Sequence, residues 1–430
     1  MDTTPQTTPS EEWLRSLRRD LHRRPEPAWC EFYTTARIVE ELREIGVDEL
    51  YVGRDALATG ARSAVPDEET LAAWHERARE AGAVPEVLGE FEGGYTGAVA
   101  VLDRGEGPTV ALRVDIDGLP REESDDPEHV PAREGFRSEN EGAMHACGHD
   151  AHATIGLGVL RGVADSDFRG TFKLLFQPAE ERIGGGAPIA ESGHLDDVDA
   201  LLAVHVGLDH PTGEVVAGVD DFLAVSHFEA HFTGESAHAG GHPNRGRNAV
   251  QAMATAVQNL YAIPRHEAGA TRVNAGKVAG GTATNIVPEG AVIEGEIRGA
   301  TTELMEYTRE HAERMLRSGA EMHDCSVDIE HGGEAPSAKS DEELVDVVAD
   351  VASGVDGVDS VVRRDTLGGS EDASYLMRRV QERGGKAGYV CIGTDHPGGH
   401  HTATFDVDED SLAIGVDVLS GAVVSLDRNF

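Results

Sequence analysis

The sequence predicts an α/β layered domain interrupted by a smaller α+β insert, and two patterns along the chain predict it. Short β-type runs at residues 97–102, 109–114, 171–176 and 200–206 alternate with helical stretches such as 151–163, as in a layered sheet. Beyond Asp221 the order changes. A strand at 225–232, a helix at 248–262, strands at 271–278 and 291–298, a helix at 302–318 and a strand at 325–330 give the β-α-β-β-α-β order of a ferredoxin-like module. From 334 onward helical and strand segments resume and end with a strand at 388–393 and a helix from 408. The expected division is therefore one discontinuous domain, 1–221 with 333–430, around an insert at 222–332. A chain of 430 residues accommodates two such domains.

Ahead of the first β-type run, residues 11–44 carry Trp13, Leu14, Leu17, Leu21, Ile38, Val39 and Leu42 at helical spacing, and the acidic stretch 64–87 also reads as helix. No internal repeat or low-complexity segment interrupts the pattern.

Charge excludes several classes of function. Asp and Glu number 78 against 37 Lys and Arg, a formal net charge of −41. Such a field repels phosphate backbones and anionic lipid, which argues against nucleic-acid or membrane partners. The acid is spread along the whole chain, and only Lys173, Lys277, Lys339 and Lys386 are lysines. Uniform acid of this kind reads as a haloarchaeal-type surface, where salt screens the self-repulsion. The melting temperature is accordingly expected to fall as KCl is lowered from molar to millimolar. An unchanged value would contradict the halophilic reading. Cys30, Cys147, Cys325 and Cys391 are too few and too scattered for a disulfide scaffold. Met1 to Arg18 has early acids and no apolar h-region, and no apolar run approaches membrane-spanning length. The expectation is a soluble, cytoplasmic protein.

Chemistry concentrates in a few segments. Met144-His145-Ala146-Cys147-Gly148-His149-Asp150-Ala151-His152 places a thiol, imidazoles and a carboxylate together at the start of a helical run, a donor set suited to metal. A polar loop capped by Asp150 is the alternative there. Glu180 and Glu181 follow a strand directly; such a pair can divide into a metal ligand and a proton acceptor, although adjacent glutamates usually face solvent. His205 sits inside an apolar strand and reads equally as a core histidine. His400 and His401 follow a Gly-rich turn, and Asp115 and Asp117 close a strand where open α/β sheets place their ligands. Each is ambiguous alone, and together they point to one site.

Residues 113–120, 144–152, 177–181 and 401–405 resemble the signatures of the M20 metallopeptidase family, in the branch acting on N-acyl amino acids. The closer resemblance, over almost the whole chain, is to the A-type aminobenzoyl-glutamate hydrolases. It includes the helical stretch 66–93, Ala237-His238-Ala239-Gly240, Asn285-Ile286-Val287-Pro288 and Gly369-Ser370-Glu371-Asp372-Ala373. The resemblance implies a Zn-peptidase-like catalytic domain with an inserted lid and dimerisation domain, and two divalent metal ions, Mn²⁺ or Zn²⁺. It implies Cys147, His149, Glu181, His205 and His401 as metal ligands, Glu180 as general base and Asp117 as the orienting carboxylate. Asp115 stands where many relatives carry a ligand histidine.

In the insert, the resemblance implies that His238 polarises the scissile carbonyl, in its own or a partner's site, and that Asn285 and Arg298 bind substrate, together with Gly369 beyond the insert. Without it, Arg298 reads as a surface charge. The implied reaction is hydrolysis of the amide of an N-acyl amino acid. The implied assembly is a homodimer or a heteromer with a related B-type chain. A non-catalytic metal-binding or ligand-binding relative is the alternative from another class.

Overall fold

A computed structural model describes residues 9–427, so the leader segment considered above lies partly outside the described residues. The chain divides into two compact units. One comprises the chain up to Asp220, Lys339–Leu367 and the segment from Asp372; the other comprises Asp221–Ala338 and Gly368–Glu371. The strands of the first unit are β1 (Glu49–Val52), β2 (Ala98–Asp103), β3 (Thr109–Asp115), β4 (Thr171–Gln177), β5 (Ala200–Val206), β6 (Glu214–Val216) and β7 (Val219–Asp220). The second unit contributes β8 (Ala224–Thr233), β9 (Ala237–His238), β10 (Thr271–Gly280), β11 (Ile286–Val287), β12 (Gly290–Gly299) and β13 (Ser326–Ala335). The first unit then adds β14 (Ser360–Val362), β15 (Asp365–Thr366) and β16 (Lys386–Ile392).

The first unit is built on an 8-stranded sheet in the order β1-β2-β4-β3-β5-β16-β6-β14. Its centre, β4-β3-β5-β16, is parallel throughout. These strands are buried on both faces, which is why they read as apolar runs and not as alternating ones. The helix His149–Ala164 is buried nearly all round, in one core with Leu14 and Leu17 of the helix Glu11–His22 and Val416 and Leu419 of the helix Asp410–Leu426. Ser10 caps the helix Glu11–His22 by accepting from Trp13 N at 3.3 Å. Arg23, Arg24 and two prolines separate that helix from Phe32–Ile45, so the 11–44 periodicity resolves into two helices.

Some sequence expectations change in detail. The acidic helix runs Glu68–Glu80, not 64–87, because Pro66 precedes an N-cap at Asp67 and Pro85 opens a separate turn, Pro85–Leu88. Strands β1, β6 and β14 were not expected. They have 4, 3 and 3 residues, too short for a period-2 pattern to register.

The second unit carries a 4-stranded sheet in the order β10-β12-β8-β13, antiparallel at every pairing, the order of a ferredoxin-like module. Phe228, Phe232, Ile293 and Ile297 form its core with Ala252 and Ala256 of the helix Ala249–Leu260 and Met305 and Leu316 of the helix Thr302–Glu321. Where the sequence put the return to the first domain at 333, β13 continues to Ala335 and the unit to Ala338. No helix among the described residues is long and apolar enough to cross a membrane.

Candidate functional site

The carboxyl ends of the central parallel strands bring the distant motifs of the first unit together. Asp115 ends β3, the turn carrying Glu180 and Glu181 follows β4, and His205 is the penultimate residue of β5. Ligands of open α/β sheets gather at such strand ends. Gly148 precedes the helix His149–Ala164 with φ +83, and a Cβ there would lie 2.5 Å from Val206 Cγ2. Glycine therefore lets the backbone turn between Cys147 and His149 against the end of β5.

Asp117 organises the centre. Its Oδ1 lies 3.2 Å from His149 Nδ1 and accepts from Glu180 N at 3.1 Å, while Oδ2 accepts from Glu181 N at 3.1 Å. The ring is thereby oriented with Nε2 pointing the other way, 3.7 Å from Asp115 and 3.9 Å from Glu181. That buried nitrogen makes no hydrogen bond of ordinary geometry. Burial opposes charge on His149, but Asp115, the bond from Asp117 and Cys147 outweigh it and hold the imidazole well above its usual value.

Cys147, His149 and Glu181 each offer a ligand atom within 4.8 Å of the others, and Cys147, His205 and His400 do the same. His205 turns Nε2 to within 3.4 Å of Cys147 Sγ, with Nδ1 2.7 Å from the Val206 carbonyl. A proton on Nδ1 donated to that carbonyl leaves Nε2 as the electron pair facing the sulfur, the arrangement of a ligating histidine with its supporting partner. Burial, then Glu181, pushes the Cys147 thiol well above its ordinary value, against the opposing pull of His149. A thiol, imidazoles and a carboxylate converging with a buried open nitrogen fit a divalent cation. His401 sits at the rim, 58% exposed, with Nε2 3.6 Å from Glu181 Oε1.

Several residues belong to the site although none of them carried a specific role there by sequence. Asp115 is committed on both oxygens: Oδ2 accepts from Arg113 Nη1 at 2.8 Å, and Oδ1 meets His152 Nδ1 in a very close contact. His152 Nε2 in turn accepts from Val206 N at 2.8 Å. His152 stands three residues beyond His149 on one helix, a spacing that puts both on one face, so a signal for it existed. Arg113 is a cation in the middle of an apolar strand, a buried charge that calls for a partner. His400, adjacent to His401, is 3.2 Å from the Val206 carbonyl. It belongs to the cluster as much by distance as its neighbour does.

The remaining expected residues all lie in the second unit. His238 is exposed in β9, and its Nδ1 accepts from the amides of Gly240 at 3.1 Å and Gly241 at 2.9 Å. The ring proton therefore sits on Nε2. Asn285 precedes β11, which pairs with β9, and its carbonyl accepts from Ala239 N at 2.9 Å. Arg298 on β12 pairs through Nε and Nη2 with Glu296, at 3.2 and 3.1 Å, and donates Nη1 to Ser370 Oγ at 3.4 Å. Gly369 receives the Leu223 amide on its carbonyl.

Comparison with known proteins gives consistent matches. The family model for peptidase family M20/M25/M40 matches residues 111–425. The chain is 46% identical over 421 residues to indole-3-acetyl-aspartic acid hydrolase of Enterobacter agglomerans, covering 95% of this chain and 96% of that one. It is 42% identical over 411 residues to the A-type subunit of p-aminobenzoyl-glutamate hydrolase from Escherichia coli, covering 95% and 94%. Among solved structures, an aminobenzoyl-glutamate utilization protein from Klebsiella pneumoniae superposes with a TM-score of 0.82 at 37% identity, covering 96% of each chain. A dinuclear metal-binding M20 peptidase from Bacillus subtilis shares the fold, with a TM-score of 0.70 at 23% identity over 98% of this chain and 99% of that one.

Proposed function

The chain belongs to peptidase family M20/M25/M40 and is a hydrolase of amide bonds, and we propose that it cleaves N-acyl amino acids of the aminobenzoyl-glutamate or indoleacetyl-aspartate kind. The observation that carries this reading is the convergence of Cys147, His149 and Glu181 within 4.8 Å, with Glu180 next to Glu181 on the same turn. Cys147, His149, Glu181, His205 and His401 would hold two divalent cations, Mn²⁺ or Zn²⁺, with His400 as a further donor. Bound there, the cations supply the Lewis acidity that activates water and polarises an amide carbonyl.

Glu180 takes the proton from the attacking water and delivers it to the departing nitrogen. Asp117 serves both steps indirectly, holding the His149 ring and the amides of Glu180 and Glu181. His238, with its proton on Nε2, is the donor assigned to the developing oxyanion, and Asn285, Arg298 and Gly369 are assigned to the substrate carboxylate. Glu296 competes for the Arg298 fork, so a substrate carboxylate has to displace it. Glu296→Gln is therefore expected to lower KM for carboxylate-bearing substrates at unchanged kcat. A KM equal to or above wild type would remove Arg298 from substrate binding.

Cys147 is assigned as a ligand and not as a nucleophile. A thiol reagent should label it after chelation and spare it in metal-loaded protein, whereas the half-buried Cys325 should label in both. Equal labelling of Cys147 in the two forms would count against ligation.

The test of the whole reading is a hydrolysis screen of purified protein at high salt with Mn²⁺, Zn²⁺ or Co²⁺, over acyl-amino acids including aminobenzoyl-glutamate and indoleacetyl-aspartate. Metal-dependent release of a free amino acid is the expected result. No release from any substrate with any metal would overturn it. The Escherichia coli relative is named as one subunit of its enzyme, which favours a second reading: turnover requires a second kind of chain, and the isolated protein binds metal but is slow. We read its setting as a salty cytoplasm and its simplest assembly as a homodimer.

A further inference from the structure

The turn after β4 carries both the proposed base and a proposed ligand, and its backbone is unusual. Ala179 adopts φ +57 and Ile183 φ +51, left-handed values that glycine tolerates and side-chain-bearing residues disfavour. A Cβ on Gly185 would lie 1.7 Å from the Pro178 carbonyl oxygen, so the chain folds back tightly on itself. A turn of this kind persists only where its surroundings over-determine it.

Buried carboxylates supply that determination. Ala179 N donates to Glu31 Oε1 at 2.8 Å, Glu180 N to Asp117 Oδ1 and Glu181 N to Asp117 Oδ2, both at 3.1 Å. Three successive amides are thus taken by two carboxylates from separate parts of the chain. Glu31 is fully buried and occupies the N-cap position of the helix Phe32–Ile45, yet its side chain makes no capping bond to that helix. Its second oxygen accepts instead from Thr96 Oγ1 at 2.5 Å. An N-cap residue normally satisfies its own helix, and a buried carboxylate is costly where apolar packing would serve. Both departures have one explanation in the turn that Glu31 holds.

We propose that Glu31 is a positioning residue of this active site: braced by Thr96, its carboxyl group holds the Ala179 amide and so aims Glu180 and Glu181. The proposal rests on the reading of Glu180 as base and Glu181 as ligand. Asp117 fixes the turn from the metal side and Glu31 from behind it. Losing Glu31 leaves Ala179 N–H buried without an acceptor and lets the strained residue relax. The two carboxylates that follow then lose their aim, although neither touches Glu31.

Glu31→Ala, Glu31→Gln and Thr96→Val test it, each measured for kcat, KM, metal affinity by chelator competition and melting temperature. Supporting partners of a metal site typically contribute about 10–100-fold to activity or affinity, and that is the expected loss in kcat or metal affinity for Glu31→Ala, with KM little changed. Glutamine keeps an oxygen for Ala179 N–H, and its amide NH2 can donate to Thr96 Oγ1 once that hydroxyl turns its proton elsewhere, so Glu31→Gln should restore near wild-type values. Burial, and then the neighbouring Asp117, push the Glu31 carboxyl up to about 8, so the neutral amide is a close mimic of its protonated form.

A merely structural role predicts a lowered melting temperature with unchanged kcat and metal affinity in the folded protein, and that result would overturn the proposal. So would a glutamine variant as impaired as the alanine one. Should Glu31→Ala not fold, Thr96→Val decides, since it removes only the brace: a smaller loss of kcat at constant KM supports the proposal, and no loss overturns it. Should wild type hydrolyse nothing, the functional reading fails, but metal affinity still decides the role of Glu31. Weaker binding than wild type in the alanine variant but not in the glutamine one supports it, and equal binding in all variants overturns it.

Discussion

Replacing Glu180 by Gln is expected to lower kcat on the order of 10²–10⁴-fold, the contribution of a positioned general base, while the fold and metal content stay as they are. The substitution is nearly isosteric, and the backbone amide that donates to Asp117 Oδ1 is untouched. Glutamine cannot accept a proton from water at neutral pH, and it cannot hand one to a leaving nitrogen. Glu181→Gln should behave differently, because that side chain shares the cluster with Cys147 and His149. There the first loss should be metal, with activity following. Hydrolysis rates, metal content by elemental analysis and thermal melting on the same preparations separate the two. A Glu180→Gln protein that keeps a tenth of wild-type kcat at full metal content would remove Glu180 from the role of base.

Much of this site was visible in the sequence because its chemistry is local in the chain. The run 144–152 holds Cys147, His149 and His152 within six positions, and the pair Glu180–Glu181 announces itself at a strand end. Asp117 was legible by its place after β3, although its bonds to the amides of Glu180 and Glu181 were not. What the sequence hid is the set of supporting contacts, which depend on sheet order. Glu31 reaches Ala179 across 148 positions, and Arg113 meets Gln177 across 64, because β3 and β4 are neighbours in the sheet. Glu31 has no local pattern to betray it, and Arg113 shows only as a charge within an apolar strand, with nothing to name its partner. The elements behave alike. Buried strands of 6 or 7 residues were found within two residues of their ends, whereas β1, β6 and β14, shorter and nearer the sheet edges, left no periodicity to read. Arg298 was expected to face a substrate carboxylate; that Glu296, two positions away on β12, already fills its fork is a matter of strand geometry, since residues i and i+2 share a face.

A second large effect is expected on stability, from a buried ionic network behind the His149 helix. Arg18 is fully buried; Nε lies 2.8 Å from Asp150 Oδ2 and Nη2 donates to Asp406 Oδ1 at 2.7 Å. His22, equally buried, lies 2.7 Å from Asp150 Oδ2 and 3.0 Å from Glu123 Oε1, which also meets His129 Nε2 at 2.9 Å. Arg18→Met would leave Asp406 without this cation and Asp150 with His22 alone, a change that typically costs about 3–5 kcal/mol. An exposed pair such as Arg79 with Glu76 is the control, where no measurable shift is expected. The network also sets a pH dependence. Burial and Arg18 oppose charge on His22, but Asp150 and Glu123 outweigh them and raise it from 6.5 to about 9. A raised histidine stabilises the fold fully below pH 6.5 and progressively less as pH climbs to about 9, a loss of about 3 kcal/mol. Glu123 runs the other way: burial opposes its charge, but the bonds from His22, Ser138 and His129 lower it from 4.5 to about 2, so its contribution fades as pH falls through that range. Because the two share one ion pair, their energies overlap and do not add. Melting temperature should therefore be highest between about pH 4.5 and 6.5 for this network and fall on both sides. His22→Gln should flatten the alkaline limb, whereas Arg18→Met should lower the whole curve. A His22→Gln protein with the wild-type decline between pH 6.5 and 9 would show that some other group titrates there.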